Sequence, residues 1–134
     1  GDHVQLRNNL TIVPPVHSIE YVGAIEAINS MLLQSHDETI RVFPVWIKGK
    51  DASFTNLRAY GAFLVSSEYK NGQVSYVDIK SEAGRLCIIE NPWPDKTCEV
   101  LVTTEPQTKI DSVVRDNRIY FSTERGKQYK VLPR

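Results

Sequence analysis

The three histidines of this 134-residue chain, His3, His17 and His36, all fall within its first 36 residues. A nucleophilic hydrolase needs a serine or cysteine, an imidazole and an orienting carboxylate that converge in space. No Gly-x-Ser-x-Gly elbow accompanies these histidines, so each reads as a surface or structural residue. His36 sits where a helix should end, and an imidazolium there would favour the helix dipole. Carboxylates offer a second chemistry, because glycoside hydrolysis uses one carboxylic acid and one carboxylate across a sugar. Glu20, Glu26, Asp37, Glu38 and Asp51 gather in one part of the sequence, although their pattern alone reads as solvated. Aromatic planes offer a third, since Trp and Tyr can stack on sugar faces. Trp93 stands between two prolines in "NPWPDK", and Trp46 follows Pro44 by two residues. Both are candidates for sugar stacking, with core or interface packing as the alternative.

Cys87 and Cys98 lie eleven positions apart. They read as buried free thiols acting as small hydrophobes, or as a bridge between neighbouring strands. Two cysteines and three scattered histidines give no metal-ligand spacing, so no metal is expected.

The bulk composition narrows the partners. Apolar residues make up 41% of the chain and charged residues 24%, with sixteen bases balancing sixteen acids. A neutral chain carries no general field for nucleic acid or an anionic membrane, so neither is expected as a partner. No run approaches the roughly 18 apolar residues of a membrane helix, and "GDHVQLRNNL" lacks the apolar centre of a signal peptide. Gly1, with no initiating Met, reads as a residue left by tag removal from a trimmed piece. One glycosylation triplet, Asn9-Leu10-Thr11, is present.

The elements that must position these residues change character along the chain. Residues 1–18 read as irregular, with "LTIV" as a short strand before Pro14 and Pro15. Val22, Ile25, Ile28, Met31 and Leu32 recur at three- and four-residue spacing, which predicts a helix from Tyr21 to Ser35. Ala24, Ala27 and Leu33 widen its apolar face, so it expects neighbours on more than one side. After His36 the period falls towards two. "TIRVF" predicts a strand ending at Pro44, "DASFTNL" a turn, and "LRAYGAFLVSSEYK" strand with a bend at Gly61. Asn71-Gly72 predicts a type I′ hairpin, and Asp116-Asn117 a second tight turn. Strands are predicted at 85–90, 98–104, 109–115, 118–123 and 128–133. The expected fold is mainly β, an antiparallel β-sandwich of about eight strands preceded by one α-helix.

"EAINSMLLQSHDETIRVFPVWIKGKDASFTNLRAYGAFLVSSEYKNGQVSYVDIKSEAG" resembles the C-terminal end of the inverting α-L-fucosidase-like enzymes of glycoside hydrolase family 95. The matching motifs are Met31 to His36, Val42-Phe43-Pro44, Leu57 to Phe63, and Lys70-Asn71-Gly72, within residues 17–95. The resemblance implies that residues 1–38 are the end of an (α/α)6 barrel and that 39–134 are the β-sandwich packed against it. It implies a non-catalytic role for this chain, inert alone, with the barrel of the parent chain as partner and no cofactor. In the family an acidic residue lies in an Ile-Asp-Gly-Asn-Phe-Gly-Gly turn before this helix. "SIEYVG" places Glu20 at that position, as a catalytic residue of the full-length parent only. Arg58, in "LRAYGAF", is the candidate interdomain contact, since a guanidinium suits a carboxylate or carbonyl across an interface. The resemblance further implies a secreted or periplasmic parent. A helix stripped of its barrel would leave apolar surface and favour self-association of the chain. The alternatives are a carbohydrate-binding module with a glycan partner, and a free-standing protein-interaction domain.

Overall fold

Asn71 and Gly72 both take positive φ, 54° and 82°, at the tip of the longest hairpin among the described residues. This is the backbone that a two-residue type I′ turn demands. In the computed structural model, which describes residues 4–6, 10–12, 31–35, 37–46, 49–104 and 107–134, that hairpin joins β6 (Phe63–Lys70) to β7 (Gln73–Ser81). Before it come β1 (Val4–Leu6), β2 (Leu10–Ile12), β3 (Leu33–Gln34), β4 (Arg41–Val42) and β5 (Ala52–Ala59). After it come β8 (Cys87–Glu90), β9 (Cys98–Val102), β10 (Thr108–Ile110), β11 (Val113–Arg115), β12 (Arg118–Phe121) and β13 (Gln128–Pro133). The expected count of about eight strands is thus exceeded among the described residues.

The strands form three antiparallel sheets. The largest has eight strands in the order β1-β2-β5-β6-β7-β13-β9-β10; the others are β11-β12-β8 and the β3-β4 pair. Ile40 docks the β3-β4 pair on the three-stranded sheet: its N–H donates to the Ile88 carbonyl at 2.8 Å, and its carbonyl accepts from the Glu90 N–H at 2.9 Å. β1 and β2 join the large sheet through β5, with Thr11 opposite Ser53. The large sheet therefore runs across the boundary expected near residue 38.

The predicted helix lies mostly outside the described residues; of its described part, Met31 and Leu32 are helical. Its last turn is corrected: Leu33 and Gln34 are strand, paired with Val42 and Arg41. The Phe43 N–H donates to the Leu32 carbonyl at 2.7 Å, so the hairpin takes the backbone groups that a helix end would need. Leu32 itself is fully buried.

"DASFTNL" is likewise strand rather than turn. Its alternation is hidden by a register shift between Phe54 and Leu57, where Asn56 takes φ 56° and its N–H donates to Ser66 Oγ. The extra residue keeps Ala52, Phe54, Leu57 and Ala59 all on the buried side. A second shift between Glu68 and Tyr69 does the same for β7, bringing Val74 inward with Val77 and Ile79. The expected 109–115 strand divides at Asp111 and Ser112: β10 stays in the large sheet and β11 passes to the small one.

The inward residues of all three sheets close on one cluster, including Phe54, Val65, Val77, Ile79, Ile89, Val100, Ile119 and Phe121. Phe121 of β12 meets Tyr129 of β13 with ring centroids 5.6 Å apart. A chain of hydrogen bonds ties the layers where they are polar. The Gly84 N–H donates to Ser81 Oγ, that hydroxyl donates to Thr123 Oγ1, and Thr123 donates to the Arg85 carbonyl. The hydroxyls of Ser81 and Thr123 are both satisfied in this way, so the tie is made without an orphaned group at either.

Gly61 closes the turn from β5 to β6 at φ +93°, and a Cβ there would lie 2.8 Å from the ring of buried Phe63. Gly72 has φ +82° with no atom within 4 Å of the same position. Gly72→Ala should cost about 1 kcal/mol for the left-handed backbone. Gly61→Ala should cost roughly 1–3 kcal/mol more, because the ring must also move. Urea denaturation of the two variants beside wild type measures the difference.

Candidate functional site

Of the residues singled out by chemistry, Glu20, His3, His17 and His36 lie outside the described residues. Trp93 is only 2% exposed, and its Nε1–H donates to the Val74 carbonyl at 2.6 Å. The flanking prolines set the direction of the loop, while Asn91 Oδ1 accepts from the Trp93 N–H and turns the ring inward. Sugar stacking by Trp93 is therefore corrected: both faces of the indole are covered by the core. Trp46 is half-buried, set edge-on to Phe43 at 6.0 Å, and its Nε1–H donates to the Lys50 carbonyl. Phe43 in turn packs on Phe54 and Tyr69, so Trp46 caps an aromatic group.

Cys87 and Cys98 are both free. Burial pushes both thiols up from their ordinary value, Cys87 strongly, and the Cys98 thiol donates to Asn91 Oδ1 at 3.3 Å. Neither is a ready nucleophile.

The outer faces carry the charged chemistry, arranged in pairs. On the large sheet, Lys130 of β13 lies 3.7 Å from Asp78 of β7 and 4.8 Å from the centre of the Tyr76 ring. Ser66, Asn56, Lys80 and Gln128 line a shallow depression of about 330 Å³ together with Asp78 and Lys130. Half-burial raises the Asp78 carboxyl above its usual value, against the opposing pull of Lys130. Tyr76 is raised too, by burial first and then by the charges of Asp78 and Glu68. Arg58, the expected interdomain contact, stands at the rim of this face with an 81% exposed side chain, 3.4 Å from Glu82.

Beside the β3-β4 hairpin, Arg41 of β4 forks onto Asp37 through two hydrogen bonds of 2.6 and 2.9 Å and reaches Glu90 of β8 at 3.5 Å. The hydrogen bonds from Arg41 hold the Asp37 carboxyl far below the usual range. That fork contributes stability above the ordinary carboxylate pKa and loses it as pH falls towards the folded value. Glu99 sits 4.0 Å from Lys109, and Glu124 pairs with Lys127. These carboxylates hold strands together, and none is a free acid facing a free base across a substrate-sized gap. Among the described residues no three His, Cys, Asp or Glu side chains converge on a metal position.

Tyr76 and Asp78 share a face by simple alternation, but Lys130 joins them only once β13 pairs with β7. No local pattern in the sequence signals that union.

Two variants test these placements. Trp93→Phe keeps the packing and leaves the buried Val74 carbonyl unpaired, so it should cost about 1–3 kcal/mol in urea denaturation. Asp78 needs its sign worked out. A carboxyl whose folded pKa is raised weakens the folded state while ionised, and the cost lifts as pH falls through that pKa. Asp78→Asn should therefore melt at or above the wild-type temperature at pH 7, with the difference closing by pH 3; scanning calorimetry at both values measures it.

Comparison with known proteins places the chain. The family model described as "Glycoside hydrolase family 95, C-terminal domain" matches residues 34–131. No curated protein matches the chain. Among solved structures, the catalytic domain of GH30 xylanase C from Talaromyces cellulolyticus aligns over 77% of this chain, with 8% identity and a TM-score of 0.46. The chain spans 27% of the length of that xylanase chain, and the likeness bears on neither activity nor substrate. The family match runs from the β3-β4 hairpin to β13, and this chain belongs to glycoside hydrolase family 95 through that family's C-terminal domain.

Proposed function

We propose that this chain is a non-catalytic β domain that packs against the (α/α)6 catalytic barrel of an α-L-fucosidase-like parent. The family match over 34–131 carries this reading. The match begins at Gln34, which leaves the segment resembling the last barrel helix ahead of the domain. Glu20, on that segment, is the proposed catalytic carboxylate of the parent. It works there only with a second carboxyl supplied upstream in the barrel, because inverting hydrolysis needs two groups on opposite sides of the sugar. Arg58, exposed at the rim of the large sheet, is the proposed contact to the barrel. The parent acts on glycans outside the cytoplasm in this reading.

The purified chain should release no fucose or aryl leaving group from α-L-fucosides. The full-length parent should do so, and Glu20→Gln in that parent should lower kcat by roughly 100-fold or more with little change in KM. Arg58→Ala in the parent should leave kcat near wild type and lower its melting temperature. Saturable glycan binding by the isolated chain, lost on Trp46→Ala, would replace this reading with a carbohydrate-binding module.

A further inference from the structure

Among the asparagines of the described residues, Asn71 is followed by glycine, whereas Asn56, Asn91 and Asn117 are followed by Leu57, Pro92 and Arg118. An asparagine loses its amide when the backbone nitrogen of the next residue attacks its own Cγ. That nitrogen must be unshielded and unbonded, and the peptide unit carrying it must be free to turn. Glycine suits both needs, since it has no Cβ and tolerates almost any φ.

The fold sets Asn71 apart on both counts. Asn71 and Gly72 are the two central residues of the β6-β7 turn, with Lys70 opposite Gln73. Such a turn closes through its flanking pair, so the Gly72 N–H takes no part in the ladder. It makes no hydrogen bond among the described residues, and neither does the Asn71 side-chain amide. Both residues are exposed, and no atom lies within 4 Å of where a Gly72 Cβ would stand. One tie reaches the tip: the Asn71 N–H donates to Asp51 Oδ1 at 3.2 Å. That bond holds the peptide unit before Asn71 and leaves the unit after it free.

The other three asparagines lack this freedom. Asn117 comes second in its own turn, so its attacking nitrogen would be that of Arg118, which belongs to β12 and closes the turn onto Arg115. The Asn117 carbonyl also accepts from the Asn91 N–H at 2.8 Å, which fixes the same peptide unit. Leu57, after Asn56, is buried in β5. Pro92, after Asn91, has no N–H to give.

We propose that Asn71 is a site of spontaneous chemical modification, converting through a cyclic imide to isoaspartate and aspartate in the folded protein. The Gly72 nitrogen gives up its proton and bonds to Cγ of Asn71. The bond from Cγ to the amide nitrogen breaks, and that nitrogen leaves with the proton as ammonia. Water then opens the five-membered ring. Cleavage of the new bond leaves aspartate. Cleavage between the backbone carbonyl carbon of Asn71 and the Gly72 nitrogen leaves isoaspartate, with the main chain rerouted through Cβ and Cγ. The net change is amide and water to carboxylic acid and ammonia. Either product takes the formal charge of the chain from zero to minus one. Isoaspartate also lengthens the backbone of a two-residue turn, beside the register shift at Tyr69. Tyr69 packs on Phe43, and Phe43 on Trp46, so the longer turn bears on that aromatic group.

The purified 134-residue chain tests this when held folded for several weeks at mildly alkaline pH. Anion exchange should resolve a later-eluting acidic species that grows with time. Peptide mapping of that species should find one oxygen in place of one NH at position 71, and methyl labelling by an isoaspartyl methyltransferase should fall on the same peptide. Asn56, Asn91 and Asn117 should keep their amides. An amide at position 71 that survives in the folded chain overturns the proposal, and the chain unfolded in guanidinium chloride then shows whether the turn is what shields it. Loss of the Asn56 or Asn117 amide as fast as that of Asn71 in the folded chain overturns it as well, because the turn would then confer no selectivity.

Discussion

The block β5-β6-β7-β13 must keep one apolar face turned inward through two register slips, and the other elements depend on it. A strand that gained one residue without a bulge would send its core set to solvent. Asn56 absorbs the slip in β5, and the shift beside Tyr69 absorbs the slip between β6 and β7. Phe54, Val65, Val77 and Ile79 then present a continuous floor. The small sheet and the β3-β4 hairpin have apolar residues of their own, such as Ile40, Ile89 and Ile119, that find burial only on that floor. The outward positions are left free for charge, and ion pairs there join neighbouring strands, as Asp78 with Lys130 and Glu99 with Lys109, or close loops, as Asp37 with Arg41.

This division explains the character of the domain. Carboxylates that face their bases at 2.6 to 4.0 Å serve as cross-strand and cross-loop ties. Such an arrangement supports a shape. Ser81, Thr123 and the Arg85 carbonyl enter the interior as a closed sequence, and the Trp93 indole enters singly with a partner; the buried Thr104 hydroxyl has none among the described residues.

Much of this was legible in the sequence where a single residue type forces a local geometry. Asn71-Gly72 and Asp116-Asn117 declare their turns, because positive φ at consecutive positions admits few residues. Strand content was legible for the same reason, through alternation within short runs. What escaped was everything that depends on a distant partner. "DASFTNL" reads as a turn because its bulge breaks the period, and only β2 and β6 on either side make it a strand. "KIDSVVR" reads as one strand because nothing local announces that Asp111 and Ser112 turn from one sheet to another. Trp93 between prolines reads as either a stacking platform or a core residue until Val74, near the start of β7, supplies a carbonyl for its indole N–H. The Tyr76–Asp78–Lys130 group is assembled by a pairing between strands far apart in the chain, so no window of sequence contains it.

The two tryptophans have a spectroscopic consequence. Trp93 is sealed from water with its one N–H committed, while Trp46 keeps part of its ring at the surface on the far side of the Phe43 group. Two indoles in such unlike surroundings divide the emission of the protein into a shorter-wavelength, quencher-resistant component and a longer-wavelength, accessible one. The chain thus carries an internal pair of optical reporters, one on the packed interior and one on the aromatic rim, that distinguish loosening of the surface from loss of the core.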